Sequence, residues 1–177
     1  MISQVESQYF SHRTRQAVQN DMISIYNMGF DVWGDGYNSQ ESYLADCRAS
    51  KKYSRGIWYV LEDHDGNLIS SLIIYILNSI KGIPAYGIGS IATTPNRRCQ
   101  GFAGQLIQDV MRRLNVNENH TFYLHSEIDS KYYERFDFIK LPEQYQKHPG
   151  SIVMIRSPKK TRESLLNDPH FLPPEYF

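Results

Sequence analysis

Cysteine is scarce: Cys47 and Cys99 are the only two in 177 residues, and neither a CxxC nor a Cys/His spacing accompanies them. That scarcity argues against a disulfide framework or a structural zinc site, and free thiols point to a reducing compartment, so the cytoplasm is the expected location. An excess charge of either sign is missing too, because 19 Lys and Arg meet 19 Asp and Glu. Without a global basic field, neither nucleic acid nor an anionic membrane surface is an expected partner. No apolar run approaches the roughly 20 residues of a spanning helix. Met1–Glu6 lacks the basic-then-apolar pattern of a secretory signal. Low-complexity tracts are absent, so a hydrophobic content of 41% is expected to build one compact domain over residues 1–177.

Several catalytic signatures are also lacking. There is no Walker-type Gly-rich loop ending in Gly-Lys-Ser/Thr, which removes support for nucleoside triphosphate hydrolysis, and no Gly-x-Ser-x-Gly elbow for a serine hydrolase. His125-x-Glu127 has no Pro-Cys-x-x-Cys partner, so a zinc deaminase is not indicated. His12, His64, His120, His148 and His170 are isolated along the chain and read as surface residues rather than ligands; no metal site is expected. The acidic turn Glu62-Asp63-His64-Asp65-Gly66-Asn67 has its glycine one place early for a calcium loop and no closing glutamate, so it reads as an Asp-Gly turn. Gly87-x-Gly89-x-x-Ala92 fits a dinucleotide fingerprint in spelling only. The fingerprint needs a helix to open at the third small residue, whereas Thr93-Thr94-Pro95 continues as extended or turning backbone.

What the chain does have is the stretch Thr93-Thr94-Pro95-Asn96-Arg97-Arg98-Cys99-Gln100-Gly101-Phe102-Ala103-Gly104, between an apolar run and a helical one. Glycine and small residues at a helix start leave backbone N–H groups pointing outward, and the unpaired amides of a first turn attract an anion. The spacing predicts a helix over Phe102–Leu114, with Ala103, Leu106, Ile107, Val110 and Leu114 on one face. Gly56–Leu61 and Leu68–Ile76 are β-branched and aromatic runs expected to form a hairpin. Asn78–Pro84 reads as a loop and Ala85–Thr94 as a strand broken by Gly87 and Gly89, a pattern that marks a bulge or a close approach by a ligand.

Upstream, apolar residues at Val18, Met22, Ile25 and Tyr26 predict a helix over Arg13–Met28, and Val5–Phe10 a short strand. Ser39 is placed to cap a second helix carrying Tyr43, Leu44 and Cys47. Between them, Phe30-Asp31-Val32-Trp33-Gly34-Asp35 is acidic and aromatic. It suits a cationic ligand through charge pairing and cation–π contact, with Asp31, Trp33 and Glu41 as candidate substrate-binding residues. The same residues suit core cover and turns equally well. Downstream, Thr121–His125 reads as a strand, Asp129–Phe136 as a short helix, and Phe138–Leu141 and Ser151–Arg156 as two further strands. The tail, 157–177, is polar and proline-bearing, with Phe171, Leu172, Tyr176 and Phe177 as apolar anchors.

Arg98-x-x-Gly101-x-Ala103 resembles the Gln/Arg-x-x-Gly-x-Gly/Ala signature of the GNAT superfamily of N-acetyltransferases, in the order strand, Thr-Pro turn, loop, amphipathic helix. Tyr132-Tyr133-Glu134-Arg135-Phe136-Asp137-Phe138 is similar to that family's Phe-Tyr-Glu-Lys-Leu-Gly-Phe segment, and the two motifs stand in the family's order. The resemblance covers about 56–156, leaving 11–50 as a variable acceptor region. A few residues, His125-Ser126-Glu127-Ile128-Asp129 with Tyr132-Tyr133, are also similar to a segment of fungal lysine N6-acetyltransferases.

The resemblance implies an α+β fold: a mixed, mostly antiparallel twisted sheet flanked by helices. It implies acetyl-CoA as co-substrate, with its pyrophosphate on the amides of Cys99, Gln100, Gly101, Phe102, Ala103 and Gly104, charge from Arg98 and Arg97, pantetheine along the strand edge at Ile91 and Thr93, and Ala92 and Ser126 as further cofactor-binding residues. It implies direct attack on the thioester by a primary amine of a small molecule, with an amino acid or a polyamine as candidate acceptors, and Tyr133 protonating the departing thiolate. Many members place a glutamate on the strand matching Ala85–Thr94; this chain has no acid there. Glu127, His125 through a water, and the loop acids Asp31 and Glu41 are the candidate bases. Cys99 has no partner base, which argues against an acetyl-cysteine route. A homodimer is compatible with the resemblance. A non-catalytic acyl-CoA-binding module, a nucleotide-binding module and a protein N-terminal or lysine acetyltransferase are the alternatives.

Overall fold

The computed structural model describes residues 12–115 and 119–177, so the strand expected over Val5–Phe10 lies outside the described residues. Seven strands form one sheet: β1 (Arg13–Gln16), β2 (Ile57–Glu62), β3 (Leu68–Ile80), β4 (Ile83–Thr93), β5 (Thr121–Ser126), β6 (Ile139–Lys140) and β7 (Ile152–Arg156). Their order is β1-β2-β3-β4-β5-β7-β6, and every neighbouring pair is antiparallel except β4 and β5. A parallel pair cannot be joined by a hairpin, and the crossover here is the helix α5 (Phe102–Leu114). The mostly antiparallel, helix-flanked sheet is the expected fold.

α5 behaves as its spacing predicts. Leu106, Ile107 and Val110 are completely buried against Leu72 and Ile74 of β3, Ile88 of β4, and Phe122 and Leu124 of β5. Burial of each such aliphatic side chain stabilises by about 1.5–3 kcal/mol. The opposite face of the sheet is covered in two halves. Over β2 and β3, Trp58, Val60, Ile73 and Tyr75 pack against Ile25 and Tyr26 of α1 (Met22–Asn27) and Tyr43 and Cys47 of α3 (Gln40–Ala49). Over β4, β5 and β7, Ala85, Tyr123, Val153 and Ile155 pack against Leu165 of a helix (Lys159–Leu166) and Phe171 beyond it. With both faces covered, β3 is buried continuously from Ile69 to Tyr75, Ser70 and Ser71 included.

Four expectations are corrected. Arg13–Gln16 is an edge strand, not the start of a helix: Thr14 is buried with its hydroxyl on Asp109 Oδ2 at 2.8 Å, and Arg15 joins Glu62 and Asp21, each at 2.6 Å. Val18, counted into a helical stripe, is exposed instead. Asn78–Pro84 is not a free loop. β3 runs to Ile80 and turns through Lys81 and Gly82, at φ 53° and 77°, the left-handed pair that a two-residue hairpin needs. The helix expected over Asp129–Phe136 is confined to α6 (Lys131–Glu134), ended by Asp137 at φ 65°. The tail holds the helix Lys159–Leu166, labelled α7, where only anchors were expected. By contrast, the Ser39 cap is present, its hydroxyl accepting from Ser42 N at 3.2 Å.

Candidate active site

β4 is continuous only as far as Gly89. Ser71 pairs with Ala92 and Ile73 with Gly89, so three steps on β4 oppose two on β3, and the extra residue makes a bulge with Ser90 at φ 44°. On the other edge, parallel pairing with β5 runs from Ala85/Thr121 to Ile88/Leu124 and stops. Beyond Ile88 the β5-facing edge of β4 therefore has no strand partner, although β3 still holds its other edge. An extended, amide-bearing ligand can add to such an edge.

The turn after β4 is fixed by Thr94, whose N–H donates to Ile69 O at 2.9 Å and whose hydroxyl donates to Leu68 O at 3.1 Å. A 3-10 turn over Pro95–Arg97 follows, then Cys99 at φ 59° and Gly101 at φ 86° as the N-cap of α5. No side chain caps this helix, and the first helical hydrogen bond is Gln105 N to Gly101 O at 3.0 Å. The amides of Phe102, Ala103 and Gly104 are left as first-turn donors at the positive end of a 13-residue helix. A Cβ at Gly101 would meet nothing within 4 Å, so the backbone there opens onto free space.

These parts border one cleft of about 830 Å³. It is lined by the β4 bulge, Thr93, Arg97–Cys99, Gly101–Ala103, His125, Glu127 and Tyr133, and at its far end by Trp33, Lys52, Tyr53, Tyr176 and Phe177. The expected residues fall into place unequally. Ile91, Ala92, Thr93, Arg98, Cys99, Gly101, Phe102, Ala103, Trp33, Tyr133, His125 and Glu127 line the cleft; Gln100, Gly104, Ser126, Asp31 and Glu41 do not. Gln100 donates to Asn96 O, Ser126 is buried with its hydroxyl on Ile128 O, and Gly104 is buried where a Cβ would lie 2.9 Å from the Phe136 ring.

Arg98 and Asp31 bind each other. Nη1 and Nη2 of Arg98 reach Asp31 Oδ2 and Oδ1 at 2.7 and 2.8 Å, Nη2 also donates to Met28 O, and Nε to Thr93 O. That fork lowers Asp31 below the ordinary carboxylate range and raises Arg98. Arg98 therefore pins the loop holding α2 (Phe30–Trp33) to the turn, and its charge is already matched. The less committed cations are Arg97, stacked 5.2 Å from the Phe102 ring centroid with Nε unpartnered, and Arg135, stacked 4.1 Å from the Tyr132 ring centroid. Arg135 was missed by sequence reasoning, although its place in the Tyr-Tyr-Glu-Arg segment could have shown it.

Tyr133 is buried, and burial raises its pKa, so at neutral pH it is a phenol able to donate. Burial, reinforced by His148 and Lys52, pushes His125 down to about 4. Its imidazole is neutral at pH 7, and neither ring nitrogen makes a hydrogen bond of good geometry. Glu127 is the one carboxylate lining the cleft and accepts from the Tyr176 hydroxyl at 2.5 Å. Lys52 sits 5.1 Å from the Tyr176 ring centroid, and burial lowers it. Lys52 and Tyr53 carried no sequence signal and Tyr176 only that of an apolar anchor, because the three meet only through the fold. Among the described residues no His/Cys/Asp/Glu group could hold a metal ion, and no helix is long and apolar enough to cross a membrane.

Comparison with known proteins gives the same fold. A GNAT family acetyltransferase from Brucella melitensis, solved in complex with acetyl-CoA, is similar at TM-score 0.58 and 18% identity, covering 84% of this chain and 89% of that one. The GNAT family N-acetyltransferase YhbS from Escherichia coli, solved with CoA, matches at TM-score 0.61 and 17% identity, covering 84% and 82%. Mutant forms of the spermidine/spermine N-acetyltransferase SpeG from Vibrio cholerae match at TM-score 0.59 and 18% identity, covering 87% and 99%. No curated protein matches the sequence. The family model described as an acetyltransferase (GNAT) domain matches residues 14–140, from β1 through the bulge, the capless helix and α6 to β6, and the chain belongs to the GNAT family of acetyltransferases.

Proposed function

We propose that this N-acetyltransferase uses acetyl-CoA to acetylate the primary amine of a small molecule. The observation that carries the reading is the single cleft in which free helix-start amides, an unpartnered strand edge, a protonated buried phenol and one carboxylate occur in succession. The residues present fit the co-substrate. The amides of Phe102–Gly104, with Arg97 and Arg135, suit a pyrophosphate, and the edge of β4 from Gly89 to Thr93 suits the amide-bearing pantetheine arm. When bound, acetyl-CoA supplies the thioester.

Glu127 draws the ammonium form of the acceptor and takes up its proton, so that a neutral amine attacks. His125, which burial holds neutral, also lines the cleft and adds no charge to it. As the C–N bond forms and the C–S bond breaks, Tyr133 donates to the departing sulfur, and the proton lost by the acylated nitrogen restores the phenol through solvent. The charge pattern favours an acceptor with one amine. A polyamine would meet a single carboxylate, Glu127, with Lys52 lining the same cleft, whereas a monoamine or an amino acid does not need further acids.

Calorimetric titration with CoA, followed by thiol release across a panel of amines, tests the reading. Tyr133→Phe is expected to bind CoA as wild type does and to lose turnover by about 10²-fold or more. Wild-type turnover in that variant removes Tyr133 as the acid. CoA binding with no thiol release from any amine would instead indicate a non-catalytic acyl-CoA-binding module.

A further inference from the structure

The part of the cleft lined by Tyr176 and Phe177 is built by a segment with no role in the steps above. After α7 the chain is anchored by Phe171, which is buried and lies edge-on to Tyr145 with centroids 5.3 Å apart. It then runs back across the sheet to Phe177. The Phe177 ring lies 5.4 Å from the Tyr75 ring and 5.3 Å from His125, packing against both core clusters of this face. The slot beneath it exists because Gly87 has no side chain: a Cβ there would lie 2.5 Å from Phe177 Cε2. Gly87 is one residue before the end of β4–β5 pairing, so the ring closes the floor of the gap where the two strands part. Tyr176, beside it, donates to Glu127 and packs against His125 and His148, with ring centroids 4.8 and 5.4 Å away.

We propose that Tyr176 and Phe177 determine acceptor specificity, with Phe177 closing the inner end of the acceptor pocket and Tyr176 positioning Glu127, so that the enzyme favours slender, unbranched monoamines. The inference rests on the acceptor reading given above and names the acceptor class for that same site. With the Phe177 ring seated on Gly87 and the Tyr176 hydroxyl on Glu127, little width is left beside the carboxylate, and a branched or aryl-bearing amine overlaps Phe177 before its nitrogen reaches the carboxylate. Tyr176 is a positioning residue: its hydroxyl fixes one carboxylate oxygen and leaves the other for the incoming ammonium.

Two variants open the pocket by different routes. Phe177→Ala removes the ring, and Gly87→Ala displaces it from the slot while leaving the sequence of the tail unchanged. For wild type and both variants, kcat/KM is measured with n-butylamine and with 1-phenylethylamine, and the CoA affinity by calorimetry. The expected result is that the ratio of bulky to slender kcat/KM rises about tenfold or more in both variants, through KM, while the CoA Kd stays within about twofold of wild type. If both variants turn over with the wild-type ratio, the specificity role is overturned and the acetyltransferase reading stands. If CoA binds but neither amine yields thiol with wild type or variant, the acceptor reading fails and this inference fails with it. A variant that gains activity on the bulky amine where wild type has none supports the proposal directly.

Discussion

Gly101→Ala separates the backbone demands of the turn from its ligand-binding role. Gly101 stands at φ 86°, a left-handed conformation that costs an L-residue roughly 1–2 kcal/mol. Its Cβ would meet nothing within 4 Å, so no packing clash adds to that strain. Gly66, in the β2–β3 turn, is a matched control: its φ is 82° and its Cβ also meets nothing, but it does not line the cleft. Both alanine variants are therefore expected to lose about 1–2 kcal/mol, a fall in Tm of roughly 2–8 °C for a domain of this size.

Only Gly101→Ala puts a methyl group into the open space of the cleft at the start of α5, where the pyrophosphate would lie. Losing one charge-assisted hydrogen bond there costs about 1.5–3 kcal/mol, which is about a 10- to 100-fold weaker CoA Kd. Differential scanning calorimetry gives the first quantity and isothermal titration the second. Equal CoA affinity in Gly101→Ala, Gly66→Ala and wild type would refute the assignment of the capless helix start as the pyrophosphate site.

Other consequences follow from the same contacts. Asp31→Asn weakens the fork to Arg98, and because both side chains are partly exposed the loss is at most about 1 kcal/mol; amide exchange is expected to quicken across residues 28–34 and not across α5. Asp31 is lowered by Arg98, so this pair contributes fully above the free-carboxylate value of 3.8 and is lost only as the pH falls through the lower folded-state value. An NMR titration of its carboxyl carbon that centres at or above 3.8 contradicts the pairing. For His125, at about 4 in the fold against 6.5 when free, the unfolded chain takes up a proton between those values that the native imidazole refuses. Tm should therefore drop as the pH falls from 6.5 toward 4, and His125→Asn should flatten that slope. Leu106→Ala, at a completely buried position of α5, should cost about 2–5 kcal/mol in denaturant unfolding; a loss below about 1 kcal/mol means that the helix does not pack as described.

What the sequence determined by itself was local. The α5 bounds follow from 3.6-residue spacing, and the β2–β3 hairpin from β-branched runs around Asp63–Asn67, whose Asp63 carboxylate accepts from the amides of Asp65 and Asn67. The phosphate-type turn follows from Gly101, and the family from motifs held at fixed spacing. Each signal lies within a dozen or so residues, where backbone geometry and periodicity act directly. Only the tertiary structure decided which partners these residues take. Arg98 meets Asp31 across 67 positions and Glu127 meets Tyr176 across 49, and no pattern along the chain encodes either encounter. The same holds for Arg13–Gln16, whose polar letters become a strand because β2 offers an edge and Glu62 and Asp109 offer partners. The glycine at position 87 was legible as a site of close approach, but the group that approaches in the structure is Phe177, brought there from the far end of the chain by Phe171 and α7.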